Sequence, residues 1–93
     1  MKIDEILLEA SDILEKKGWC RGSYENDEGC HCMLGALFEA CEKSDTPISM
    51  PEMALTNFLR VNNLGSIISF NDFQARDKQH VQEMLQAAAK NHQ

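Results

Sequence analysis

Ile3-Asp4-Glu5-Ile6-Leu7-Leu8-Glu9-Ala10-Ser11-Asp12-Ile13-Leu14-Glu15-Lys16-Lys17-Gly18 is the stretch whose reading decides the fold class. Ile3, Ile6, Leu7, Ala10, Ile13 and Leu14 recur at the i, i+3, i+4, i+7 spacing that lines one face of a helix. Lys16 and Lys17 suit the negative end of the helix dipole, and Gly18 suits a stop in the left-handed conformation. Helix one is therefore expected to end near residue 17.

Reading outward, Gly18-Trp19-Cys20-Arg21-Gly22-Ser23-Tyr24 leads into the turn signal Asn26-Asp27-Glu28-Gly29, between short segments that could pair as a small β-hairpin. From about His31 to Lys43 a second, largely buried helix is expected. Met33, Leu34, Leu37, Phe38 and Cys41 share its apolar face, and Gly35-Ala36 forms a patch for close approach. Ser44-Asp45-Thr46-Pro47 reads as a loop. Ser49-Met50-Pro51-Glu52 then combines a capping box with a proline in the first turn. The third helix it opens buries Met53 or Ala54, Leu55, Phe58 and Leu59, and stops at Asn62-Asn63-Leu64-Gly65. The run from Ser66 to Phe70 is too short for periodicity to separate extended chain from a helical turn. Asp77 caps a last helix in which Val81, Met84, Leu85 and Ala88 repeat at helical spacing. The expected fold is mainly α, a compact bundle of about four helices, with the optional hairpin between helices one and two.

Ninety-three residues are enough for one domain, 1–93, that buries somewhat over ~60% of its unfolded surface. The longest apolar runs, such as Ile6-Leu7-Leu8, fall far short of the roughly 20 residues that cross a bilayer. Met1-Lys2-Ile3-Asp4-Glu5 lacks the basic start and continuous apolar stretch of a signal peptide. A cytosolic location without membrane partners is expected, where Cys20, Cys30, Cys32 and Cys41 stay reduced. The net charge of −6 lies wholly in residues 1–45, which hold eleven acids and five bases; residues 46–93 hold four of each.

Cys20, Cys30, His31, Cys32 and Cys41 are zinc-type donors, but Cys30 and Cys32 have one residue between them where structural zinc sites use pairs two to four apart. No metal or other cofactor is expected. Cys32 stands beside His31 near a helix start, where a thiol's pKa can fall. A hydrolase would also need a base and an orienting group, for which His80 with Asn71 or Asp72 are available, yet no local nucleophile signature is present. The expectation is a packed thiol and no enzyme. Arg76, Lys78, Gln79, His80 and Gln82 could present a DNA-reading helix, but nine bases against fifteen acids, with no basic run, argue against direct nucleic-acid binding. Glu5, Glu9 and Asp12 fall on the outer face of helix one, where like charges cost roughly 0.2–0.5 kcal/mol per pair. With Glu25, Asp27 and Glu28 they form a candidate acidic face for a protein partner with a basic surface.

Gly18-Trp19-Cys20-Arg21-Gly22, Cys32-Met33-Leu34-Gly35-Ala36-Leu37 and Ile67-Ile68-Ser69-Phe70-Asn71-Asp72 with Arg76-Asp77 together resemble a small domain-of-unknown-function family of bacterial and phage genomes. The family pattern has tryptophan where Phe70 stands and often threonine where Asp77 stands. The resemblance implies no activity; it marks Gly18, Trp19, Gly22, Gly35, Asn71, Asp72 and Arg76 as a structural signature. Asn71-Asp72 suit an Asx turn, and Arg76 suits a pairing with Asp72 or an acid of the first half. The functional expectation is a noncatalytic acidic protein-binding module in a bacterial host cytosol. It would be a phage or mobile-element inhibitor of a host nucleic-acid-binding defence complex, of the anti-CRISPR type. The alternative is a thiol-dependent protein, metal-binding or a cysteine enzyme, centred on Cys30-His31-Cys32.

Overall fold

The N-terminal stripe becomes α1 (Ile3–Lys17) in the computed structural model, which describes residues 2–92. Ile6, Leu7, Ala10, Ile13 and Leu14 are buried along it, joined by Ser11. Glu5 accepts a hydrogen bond from the Lys2 backbone N–H at 2.8 Å, satisfying one of the donors that a helix start leaves open. Gly18 ends the helix, its N–H donating to the Leu14 carbonyl. Its φ of 94° and ψ of 166° are not left-handed helical but lie in an extended region that only glycine enters readily.

Four more helical elements follow: α2 (Met33–Lys43), α3 (Ser49–Val61), the short α4 (Ile67–Ser69), which runs directly into a π-helical turn at Phe70–Gln74, and α5 (Lys78–His92). Among the described residues the count is thus five rather than four, because the run from Ser66 to Phe70 folds as a helical turn. Ser66 caps it through a hydrogen bond from the Ser69 N–H to its hydroxyl. α1 is the hub. It packs mainly on α5 and α2 and more lightly on α3. The cross-links Lys43 to Glu9 and Lys17 to Glu39 set α2 antiparallel to α1, and Gln86 to Ser11 with Gln82 to Glu15 set α5 antiparallel as well. One apolar cluster joins all five elements, with Leu7, Leu14, Met33, Leu37, Leu55, Leu59, Phe70, Val81 and Leu85 fully enclosed. Each such side chain contributes about 1.5–3 kcal/mol relative to exposure.

No hairpin forms between α1 and α2, and no strand occurs among the described residues. The turn itself is correct: the Asn26 side-chain oxygen accepts from the Glu28 and Cys30 N–H groups. Pairing on either side stops at one antiparallel bridge, Glu25 with His31, because the next residue, Cys32, is already the N-cap of α2. His31 also bridges Trp19 in parallel, so the loop is pinned at single points rather than laddered. The expected capping box of α3 is absent as well. Ser49 lies inside the helix, Ile48 holds the cap position without a side-chain bond, and Pro51 is buried in the first turn. Asp77 does cap α5, accepting from the His80 N–H at 2.8 Å. No helix among the described residues is long and apolar enough to cross a membrane.

Candidate functional site

Distinctive residues of the loop and of the Ile67–Gln74 segment converge on one buried amide. The π-helical turn is closed by the Ala75 N–H donating to the Phe70 carbonyl at 2.8 Å, and it turns Asn71 inward to full burial. Asn71 Oδ1 accepts from Trp19 Nε1 at 2.6 Å and from the Met33 N–H at 2.9 Å. Its Nδ2 donates to the Cys20 carbonyl at 3.1 Å and to Asp72 Oδ1 at 2.9 Å. Both lone pairs and both protons of the amide are therefore used. Asp72 Oδ1 in turn accepts from the Gly22 N–H at 3.1 Å. Arg21 lies over the Trp19 ring, 4.6 Å from its centroid, and donates to the Ala75 carbonyl.

This geometry replaces the expected Asx turn. Asn71 serves a loop some fifty residues away rather than its own backbone. Arg76 is exposed and makes no ion pair among the described residues; its backbone N–H donates to His80 Nδ1. Arg21 supplies the cationic tie to this region in its place. Gly35 acts as its position suggested, since a Cβ there would lie 2.1 Å from the Tyr24 carbonyl oxygen.

His31 and Cys32 turn to different partners. Cys32 is buried and its Sγ accepts from the Gly35 N–H at 3.3 Å, capping α2. Burial pushes its thiol pKa above the ordinary value, against the pull of the capping N–H groups, and burial likewise raises Cys20 and Cys41. Among the described residues no group of three or more His, Cys, Asp or Glu is placed to hold a metal ion. His31 is buried with Nδ1 2.9 Å from the Gly29 carbonyl and Nε2 2.8 Å from Glu39 Oε1.

Glu39, on α2, has no periodicity signal to mark it, yet it joins His31 to Lys17 of α1, whose Nζ lies 2.8 Å from Oε2. Hydrogen bonding from Lys17, then from His31, holds its carboxyl below the usual range. A depressed folded-state pKa gives stability that is present above the unfolded value and lost as pH falls through the folded one. Glu39→Gln is accordingly expected to lower the melting temperature at pH 7, by an amount that shrinks as pH falls through the carboxylate range. Melts from pH 3 to 7 check this, and parallel curves for the two proteins would refute it.

The candidate acids divide into two sets. On α1, Glu9 is 2.8 Å from Lys43 Nζ, Asp12 is 2.9 Å from Lys16 Nζ, and Glu5 is bound to the Lys2 backbone. In the loop, Asp27 and Glu28 are exposed and make no ion pair among the described residues, and Glu25 has only His31 Nε2 at 3.9 Å.

A buried asparagine that ties the two ends of the first interhelical loop to the π-helical segment, with exposed acids along the loop, defines a small all-helical domain with an exposed acidic loop. The chain belongs to DUF6197, a family of unknown function whose model matches residues 1–91, in keeping with the resemblance of its motifs to such a family. No curated protein and no solved structure matches it.

Proposed function

We propose that the chain is a noncatalytic protein-binding module whose loop acids Glu25, Asp27 and Glu28 meet a basic surface on a protein partner. The division of charge carries this reading. On α1, Glu9, Asp12 and Glu15 are paired with Lys43, Lys16 and Lys78, so the field of those three acids beyond about one Debye length, ~8–10 Å in physiological salt, is weak. Asp27 and Glu28 make no ion pair among the described residues, Glu25 has only His31 at 3.9 Å, and the turn that carries them is closed by the Asn26 side chain. Preorganised, unpaired charge favours fast and specific encounter with a complementary surface. In its finer form, the partner's basic surface is one that binds nucleic acid in a host defence complex, and the module is a phage or mobile-element inhibitor that occupies it. The likeness of its motifs to a family of bacterial and phage genomes supports that form.

Affinity capture from a bacterial lysate, at low and high salt and with competing nucleic acid, tests the proposal. The expected catch is a basic, nucleic-acid-binding protein. Its recovery should fall about tenfold or more with Glu25→Lys, Asp27→Lys and Glu28→Lys combined, while Glu5→Gln, Glu9→Gln and Asp12→Gln have little effect. Capture indifferent to salt and to loop reversal overturns the reading.

A further inference from the structure

A concave cavity of about 430 Å³ opens between the 22–32 loop and the α4–π segment, lined by Gly22, Ser23, Tyr24, Cys32, Ile68 and Asp72. Its two sides differ chemically. One is apolar and open to solvent, with Tyr24 55% and Ile68 38% exposed. The Tyr24 ring is steadied edge-on against Phe38, with centroids 5.7 Å apart. The other side holds the half-buried Asp72, whose Oδ1 is occupied by the Gly22 and Asn71 donors. Its Oδ2 has no protein donor among the described residues, and no lysine or arginine pairs with it. The Arg21 guanidinium is committed to Trp19 and Ala75. A partly buried carboxylate fixed by two neutral donors and left without a cation is an incomplete electrostatic arrangement.

We propose that this cavity receives a lysine side chain of the partner protein, its ammonium on Asp72 Oδ2 and its methylene stem along Ile68 and the Tyr24 ring. A lysine stem buries apolar surface while its head keeps a polar partner. Arginine fits less well. Its planar fork seeks both oxygens of a carboxylate, and here one oxygen already accepts two hydrogen bonds. The inference rests on the reading of the chain as a binder of basic proteins and supplies the pocket that reads one residue of the partner.

The test is a ¹H–¹⁵N NMR titration with Nα-acetyl-lysine N-methylamide and its arginine and norleucine counterparts, each up to about 20 mM, since one side chain binds weakly. The lysine probe should shift the amides of Gly22, Ser23 and Tyr24, and bind at least about fivefold tighter than the other two. Asp72→Asn retains a carbonyl for Gly22 and Asn71 but turns a donor toward the cavity; it should weaken the lysine probe about tenfold or more. Ile68→Lys, at an exposed rim position that leaves the Asp72 bonds intact, should abolish binding even if the first variant unfolds. No shift at these amides, or equal binding of all three probes, overturns the proposal. So does protein capture that is lost on loop reversal but unchanged by Asp72→Asn and Ile68→Lys. Lysine binding with no basic protein captured leaves the cavity standing and overturns the protein-binding reading instead.

Discussion

Asn71→Ala should cost about 3 kcal/mol or more, because it strips partners from the Trp19 Nε1–H, the Met33 N–H and the Cys20 carbonyl at once. Each buried polar group left unsatisfied costs about 1–3 kcal/mol, and water reaches a fully buried position poorly. The three losses share one side chain and need not add, so the low end of their sum is the safer expectation. For a domain of this size about 1 kcal/mol moves the melting temperature by roughly 4–8 °C, so the variant should melt roughly 12–24 °C below the parent. Against a total stability of about 5–15 kcal/mol this is a large fraction. Asn71→Asp separates hydrogen bonding from volume. It keeps the acceptor for Trp19 and Met33 but turns an oxygen toward the Cys20 carbonyl and the Asp72 carboxylate, so it should also destabilise, although it leaves no void. Thermal and urea unfolding followed by circular dichroism and Trp19 fluorescence measure both. An alanine variant within about 1 kcal/mol of the parent would show that the clamp contributes no more than an ordinary net hydrogen bond.

The clamp also marks where reading from sequence stops. α1 was legible because its stripe of six apolar residues repeats within one segment, and the apolar spacing of Val81, Met84, Leu85 and Ala88 located α5 for the same reason. Periodicity is local information. Asn71 was legible as a turn former and as part of a structural signature, but not as a clamp, since its partners lie 52 residues away at Trp19 and 38 away at Met33. The hairpin expectation failed at a junction of two local rules. The Asn26 turn forms, yet Cys32 belongs to a helix start, and a helix cannot continue a strand ladder. The Asp12–Lys16 pair on α1 was legible as an i,i+4 spacing, but Lys43 is 34 residues from Glu9, so the neutralisation of Glu9 was not. The cavity was invisible for the same reason, because Tyr24, Ile68 and Asp72 meet only after the loop has docked.

That docking depends on the missing side chain at Gly35, and Gly35→Ala should undo it. The added Cβ would sit 2.1 Å from the Tyr24 oxygen, 2.8 Å from its carbonyl carbon and 3.2 Å from its Cα, all of them backbone atoms that no rotamer change can move. Either the loop or the first turn of α2 must shift, and both are held: Cys32 N–H donates to that same Tyr24 carbonyl at 3.1 Å, and the Cys32 thiol accepts from Gly35 N–H. Overpacking costs typically about 1–3 kcal/mol and more where backbone is hit, while alanine regains about 1 kcal/mol of helix propensity. Steric cost wins, and a net loss of about 2 kcal/mol or more is expected in urea unfolding. Gly29→Ala is the informative comparison. Its φ of 87° makes alanine strained there too, but an added Cβ meets nothing within 4 Å, so its cost is that of backbone conformation alone. If Gly35→Ala proves no worse than Gly29→Ala, contact with Tyr24 is not what fixes the loop. If it is worse, and the lysine probe stops shifting the Gly22, Ser23 and Tyr24 amides in the fraction that remains folded, the closeness of α2 to Tyr24 is what shapes the cavity.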